Sequence, residues 1–232
     1  MITKRLSVKI VLVLIVLFFL SVPVAAYSDE AINSYNQGNT FTSEGNYTEA
    51  VAAYNNAITL APDYYEAWNG MADVLNRAGQ FSEALAASNQ SLELNSSYAA
   101  GWINRGYILY NIGNYYENQL NDTQTADELY NQQLQAFDNA IAADPKDADA
   151  WFNKAYALGG LERYDEAIAA FDQVKALDPD YPNLAENREI AVELRNAAEP
   201  WYIKYAFPLV IGVIVCAGII GWYITTRKKR SA

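Results

Sequence analysis

The chain has 232 residues, no histidine, one cysteine, and 27 acidic against 16 basic side chains, for a net charge of −11. With no histidine and Cys216 as its sole thiol, it can build neither a nucleophile–histidine pair nor a His/Cys metal site, so the expected function is non-enzymatic, with no catalytic residue, metal or cofactor. All 27 acidic residues lie between Asp29 and Glu199, and only eight Lys and Arg share residues 27–200; that stretch carries −19, which favours solubility or a cationic partner and repels nucleic acid and anionic lipid.

Met1 to Ala26 has the order of a secretion signal. Lys4, Arg5 and Lys9 start it, Ile10 to Leu20 is apolar, and Val24-Ala25-Ala26 supplies small residues for cleavage before Tyr27. The alternative is an uncleaved anchor, although the apolar core is shorter than the ~20 residues of a span.

A rhythm of 34 residues follows. Trp68 and Trp102 are separated by it, as are Tyr47, Phe81 and Tyr115, and Pro145 and Pro179. Residues 31–64 carry Gly38, Phe41, Gly45, Tyr47, Ala50, Tyr54, Ala57 and Pro62. Residues 65–98 carry Trp68, Ala72, Leu75, Gly79, Phe81, Ala84 and Leu92. A third stretch, 99–147, has Trp102, Gly106, Leu109, Gly113, Tyr115, Phe137, Ala140 and Pro145; a fourth, 148–181, has Trp151, Ala155, Leu158, Tyr164, Ala167, Phe171 and Pro179.

Each stretch predicts helix, turn, helix. The small residues Gly38, Ala72, Gly106 and Ala155 let backbones approach, and the aromatics fill the wider gaps. Gly45, Gly79 and Gly113 are expected to end first helices in the left-handed conformation. Pro62, Pro145 and Pro179 stop the second helices, because proline drives the preceding residue out of helical geometry. With no disulfide available to residues 27–200, stability must come from packing between neighbours.

This order of Trp, small residue, aromatic, Gly, aromatic, Ala and Pro resembles the tetratricopeptide repeat (TPR) family over residues 31–181. Ser34, Ser88, Ser96 and Gln133 depart from it at single positions. The resemblance implies an all-α TPR solenoid of about four helix-turn-helix units. It further implies a concave groove lined by first helices and able to take an extended peptide. By position, that groove would show Tyr35 and Asn39, then Asn69, Asp73 and Arg77, then Ile103, Asn104, Tyr107 and Tyr110, then Phe152, Asn153 and Tyr156. Asn amides would pair with peptide N–H and C=O groups, and the aromatics would give rigid contact area. The family's Lys/Arg clamp for a C-terminal carboxylate is missing at these positions.

The third unit is longer than the others, with Trp102 to Trp151 spanning 49 residues, and the extra chain lies at about 116–132. Asn118 to Asp122 reads as a polar loop, and Thr125 with Glu128 as a capping-box start. A lengthened helix or helix pair is expected there. Asn46, Asn89, Asn95 and Asn121 each open an N-glycan acceptor tripeptide. The turn acids Asp144, Asp147, Asp149, Asp178 and Asp180 lack the loop of a calcium site.

Residues 182–200 predict an amphipathic capping helix, with Leu184, Ile190, Ala191, Leu194 and Ala198 on one stripe. Residues 201–226 predict a transmembrane helix: Tyr205 to Ile224 carries no charge, and Trp201, Tyr202, Trp222 and Tyr223 flank it. The basic tail, 227–232, holds Arg227-Lys228-Lys229-Arg230 and belongs on the cytoplasmic side. The expectation is a single-pass membrane protein with its repeats outside, binding a protein or peptide partner. The alternative is an acidic surface module that self-associates into a homo-oligomer.

Overall fold

The computed structural model describes residues 27–198, and among the described residues every regular element is a helix. The helices are α1 (Asp29–Glu44), α2 (Tyr47–Leu60), α3 (Tyr65–Arg77), α4 (Phe81–Leu94) and α5 (Ala99–Gln119), followed by α6 (Thr123–Ala143), α7 (Ala148–Gly160), α8 (Tyr164–Leu177) and α9 (Leu184–Ala198). The expected signal at 1–26, span at 201–226 and tail at 227–232 lie outside these residues. Among the described residues, no helix is long and apolar enough to cross a membrane.

The chain forms two compact units, one ending at Gln132 and the other beginning at Gln133. In the first, α1 to α5 pair in sequence around a core of alanines and larger apolar residues, including Tyr54, Val74, Ile108 and Ile112. In the second, α7 pairs with α8 and α9 packs against α8, and Phe137 of α6, Leu158, Phe171 and Val174 are buried.

Local chemistry explains the helix ends. Ser28 caps α1 by accepting the Ala31 N–H at 3.2 Å. Gly45 and Gly79 end α1 and the stretch after α3 with φ of 77° and 75°, and the next residue's N–H returns to a carbonyl five positions back, Phe41 or Leu75, at 2.9 Å. Glu162 makes the same turn after α7 with φ 59°, and Arg163 N–H reaches Leu158 O at 2.9 Å. A side chain there is strained where glycine is not.

Each repeat tryptophan does more than fill space. Nε1 of Trp68, Trp102 and Trp151 donates to the carbonyl six residues earlier, on Pro62, Ser96 and Pro145, at 3.0, 2.9 and 3.2 Å. The indole thus clasps the turn that precedes its own helix. The clasp uses a main-chain oxygen, so it survives where Ser96 replaces proline.

The long third unit differs from its sequence reading in three ways. First, Asn118 and Gln119, read as part of a polar loop, end α5; α5 and α6 each contain 21 residues against 13 or 14 in α2, α3, α4, α7 and α8, so the expected lengthening falls on both helices and leaves only 120–122 as connection. Second, Gly113 does not end a helix; it lies buried inside α5, where a Cβ would meet Tyr130 Cε1 at 2.6 Å. Tyr115 therefore lies within α5, not at the start of a second helix like Tyr47 and Phe81. Third, the cap of α6 is Asp122, not Thr125. Asp122 accepts the Thr125 N–H at 3.1 Å and hydroxyl at 2.7 Å, and these bonds lower its pKa.

On α9, Leu184 and Ala191 are buried, whereas Ile190 and Leu194 are exposed. The apolar stripe is thus wider than the surface it meets, and the outer face of the cap is not wholly polar.

Candidate functional site

The structure sorts the twelve predicted groove residues into packing residues and presented ones. In the first unit, Tyr35 is half-buried, its ring 5.1 Å from that of Tyr64 and 5.9 Å from that of Tyr54. Asn39 accepts a hydrogen bond from the Tyr54 hydroxyl at 2.7 Å. Asp73 and Arg77, one turn apart on α3, form an ion pair at 2.9 Å and neutralise each other. Such a surface pair contributes roughly 0.3–0.5 kcal/mol, so its role is to set local charge rather than to hold the fold.

Two of the four groove asparagines bond to each other. Asn104 is buried, and its amide donates to Asn69 at both the main-chain oxygen (3.1 Å) and Oδ1 (2.9 Å). Seven residues further along both helices, Asn111 donates to Asn76 Oδ1 at 3.1 Å. These two rungs tie α3 to α5. Asn76 and Asn111 escaped the sequence reading, although the spacing of seven along each helix and 35 between partners was there to find. Among the predicted groove residues, Asn69 and Asn104 thus bond to each other within the unit.

What α5 presents outward is aromatic. Tyr107 is 46% exposed and Tyr110 is 40% exposed. Ile103, on the same helix, is half-buried. The Tyr110 ring lies 6.0 Å from that of Tyr130, whose hydroxyl donates to Glu117 Oε2 at 2.7 Å. Burial and the Glu117 carboxylate both raise the Tyr130 pKa. The lengthened hairpin thereby holds Tyr110 in place at its flank.

In the second unit, Phe152 packs between the rings of Phe171 (5.5 Å) and Tyr181 (4.8 Å) and is a packing residue. Asn153 is half-buried. Lys154 lies 5.6 Å from the Trp151 ring centroid and 2.6 Å from Asp138 Oδ1. Tyr156 is the most exposed large side chain of the set at 63%. An open cleft of about 760 Å3 lies where α8, the following turn and α9 meet. Arg188 crosses to Asp172 there at 2.8 Å, and that pairing lowers the Asp172 pKa. The cleft mixes both charges with Tyr181 and Leu184 and presents no nucleophile–base pair.

Among the described residues, no group of three or more acidic, His or Cys side chains is placed to hold a metal. Of the glycan candidates, Asn46, Asn89 and Asn121 are exposed and Asn95 is half-buried. Asn46 donates to Glu44 at 3.0 Å, Asn89 accepts from Arg105, and Asn95 accepts the Ser97 N–H at 3.1 Å. Asn121 sits at φ 53° in the short connection between α5 and α6.

Comparison with known proteins agrees with this architecture. A TPR repeat model matches residues 38–79, and two tetratricopeptide repeat models match 63–139 and 134–182. A thermophilic TPR protein of Thermus thermophilus is similar in structure, with a TM-score of 0.59 and 19% identity over 69% of this chain and 80% of that one. MamA of Desulfovibrio magneticus RS-1, from residue 41 to its end, is similar at a TM-score of 0.51 and 20% identity over 75% of this chain and 100% of that one. No curated protein matches the sequence. At these identities the structural likeness is one of fold alone. With helix pairs clasped by Trp68, Trp102 and Trp151, and three repeat models in succession over residues 38–182, the chain belongs to the tetratricopeptide repeat family.

Proposed function

We propose that this chain is a non-enzymatic docking protein, anchored in a membrane by residues 201–226 with its repeats outside, that holds a protein or peptide partner. Its family supports the coarse part of the reading, since a TPR array is a protein–protein interaction scaffold. The observation that carries the finer part is the presentation of tyrosine on first helices: Tyr107 and Tyr110 on α5, and Tyr156 on α7. Tyrosine suits this task because it brings a large rigid surface with a polar tip and little side-chain entropy to lose. The uncharged run Tyr205 to Ile224, followed at once by Arg227-Lys228-Lys229-Arg230, supports the anchor and its orientation.

Self-association is the second reading, and exposed Ile190 and Leu194 on α9 favour it. The test is a cross-linked pull-down of the tagged full-length protein from its native membranes, read by mass spectrometry. The docking reading predicts a reproducible partner whose recovery drops about tenfold or more in the Tyr107→Ala/Tyr156→Ala protein, as loss of two interface anchors implies. Recovery of only the protein itself, equally from both forms, would support self-association and overturn docking.

A further inference from the structure

The fold treats the four N-glycan acceptor tripeptides differently. Transfer of a saccharide needs the Asn carboxamide, the hydroxyl two residues later, and the chain between them within reach of the transferring enzyme. Asn89 lies inside α4 and accepts from Arg105, and the Ser91 hydroxyl is buried and donates to Tyr65 O at 2.8 Å. Asn95 is half-buried and accepts the Ser97 N–H at 3.1 Å, while the Ser96 carbonyl between them is held by the Trp102 indole at 2.9 Å. Asn46 donates to Glu44 at 3.0 Å, and Tyr47, the middle residue of its tripeptide, packs against the core of the first unit. Each of these three would have to give up fold contacts to enter an enzyme's cleft.

Asn121-Asp122-Thr123 is placed otherwise. Asn121 and Thr123 are both exposed, and Asn121 takes part in none of the bonds just described. It sits in the short connection between α5 and α6 with φ 53°, a left-handed conformation that asparagine tolerates better than most side chains. That turn accounts for an asparagine at 121, but it asks for no hydroxyl at 123. The Asp122 carboxylate binds Thr125 rather than Thr123, so it ties the start of α6 without engaging the acceptor pair. The tip also projects. α3 stops one residue after the Asn76–Asn111 rung, whereas α5 runs on from that rung to Gln119, about 12 Å further. Tyr110 lies roughly 14 Å back along α5 from the same end, so a group added at Asn121 stands away from the presented tyrosines.

We propose that Asn121 is a site of N-linked glycosylation. The donor is a saccharide carried on a polyprenyl phosphate or diphosphate, and a membrane-bound oligosaccharyltransferase delivers it. Asn121 Nδ2 bonds to the anomeric carbon and loses one proton. The bond from that carbon to the phosphate oxygen breaks, and the phosphate leaves with its electron pair; nothing is oxidised or reduced. The inference rests on the outward placement of the repeats, because such an acceptor is used on a surface loop of an exported segment.

The test is glycopeptide mass spectrometry on the full-length protein purified from its native membranes. The Asn121 peptide should carry a saccharide mass, and the Asn89 and Asn95 peptides should be bare. Thr123→Val, close in shape but without the hydroxyl, should lose the added mass, and Thr123→Ser should keep it. Asn121→Gly, which suits the left-handed turn, should lose the mass while partner capture through Tyr107 and Tyr156 continues. A bare Asn121 in the unaltered protein, or a saccharide retained there in Thr123→Val, would overturn the inference. Labelling of an introduced Ser82→Cys thiol by an impermeant maleimide in the same intact cells separates the two failures. A labelled thiol with a bare Asn121 removes the glycan and leaves the outward placement standing; an unlabelled thiol with a bare Asn121 removes both.

Discussion

Replacing Tyr54 with alanine is expected to lower the opening free energy of α1 to α3 by about 3–5 kcal/mol, the range for emptying a large buried aromatic site. The side chain is 2% exposed, and its ring is wedged between Gly38 of α1 and Gly70 of α3. Its hydroxyl donates to Asn39 Oδ1 at 2.7 Å and lies 3.3 Å from Thr42 Oγ1. Burial accordingly raises its pKa, and the Thr42 contact opposes that rise. Alanine would leave a void where three helices meet, which neighbouring helices cannot close without giving up their own contacts. Tyr54→Phe separates the two contributions, since it removes only the hydroxyl and should cost about 1 kcal/mol. Amide hydrogen exchange resolved by segment reads the loss locally, which suits an array whose units need not open together. Unaltered protection of α1, α2 and α3 in Tyr54→Ala would show that this ring is not the keystone of the first unit.

The second large effect runs against ordinary helix propensity. Gly→Ala inside a helix usually stabilises by roughly 0.5–1 kcal/mol. At Gly38 the new Cβ would stand 2.6 to 2.9 Å from Tyr54 Cε1, Cδ1 and Cζ. On its other side the ring packs close to the backbone of α3, where a Cβ built on Gly70 would also stand 2.6 Å from it. Gly38→Ala should therefore destabilise by about 1–3 kcal/mol, the cost of overpacking a filled site. Gly159, in α7 with nothing within 4 Å of its Cβ position, should follow the ordinary rule and gain stability when changed to Ala. In a Tyr54→Ala background the Gly38→Ala penalty should vanish, so the two changes would be strongly non-additive. Thermal melting of the four proteins completes that cycle, and an additive result would contradict the wedge.

These two glycines show how the fold was legible. The 34-residue spacing of Trp, small residue and aromatic reports helix pairs because each helix must meet its neighbour at the same points in every unit. Gly45 and Gly79 turn as their spacing implies. Gly113 keeps the spacing and loses the turn, because Tyr130 packs against it from a lengthened α6 and the helix runs on. A period records ancestry of position, whereas a helix end depends on what packs there. Thr125 failed as a cap for a related reason: Asp122, three residues earlier, offers a carboxylate to the same N–H.

The candidate site was less legible than the fold. Exposure of Tyr107, Tyr110 and Tyr156 follows from helix position, which the repeat register gives. Which neighbour an asparagine meets depends on side-chain reach across helices, so the bond between Asn69 and Asn104 was not legible from their positions in the repeat. Ile190 and Leu194 read as buried because apolar periodicity marks a face without saying how much of it finds a partner.

A repeat array displayed outside a membrane is the central claim. Cys216, the only native cysteine, falls within the expected span, so one introduced thiol can report the side on which the repeats lie. Ser82, exposed in the first turn of α4, is a suitable position. Full-length Ser82→Cys protein, treated in intact cells with a membrane-impermeant maleimide, should be labelled without permeabilisation, while the unaltered protein stays unlabelled. Labelling of Ser82→Cys only after the cells are opened would place the repeats inside and contradict the account.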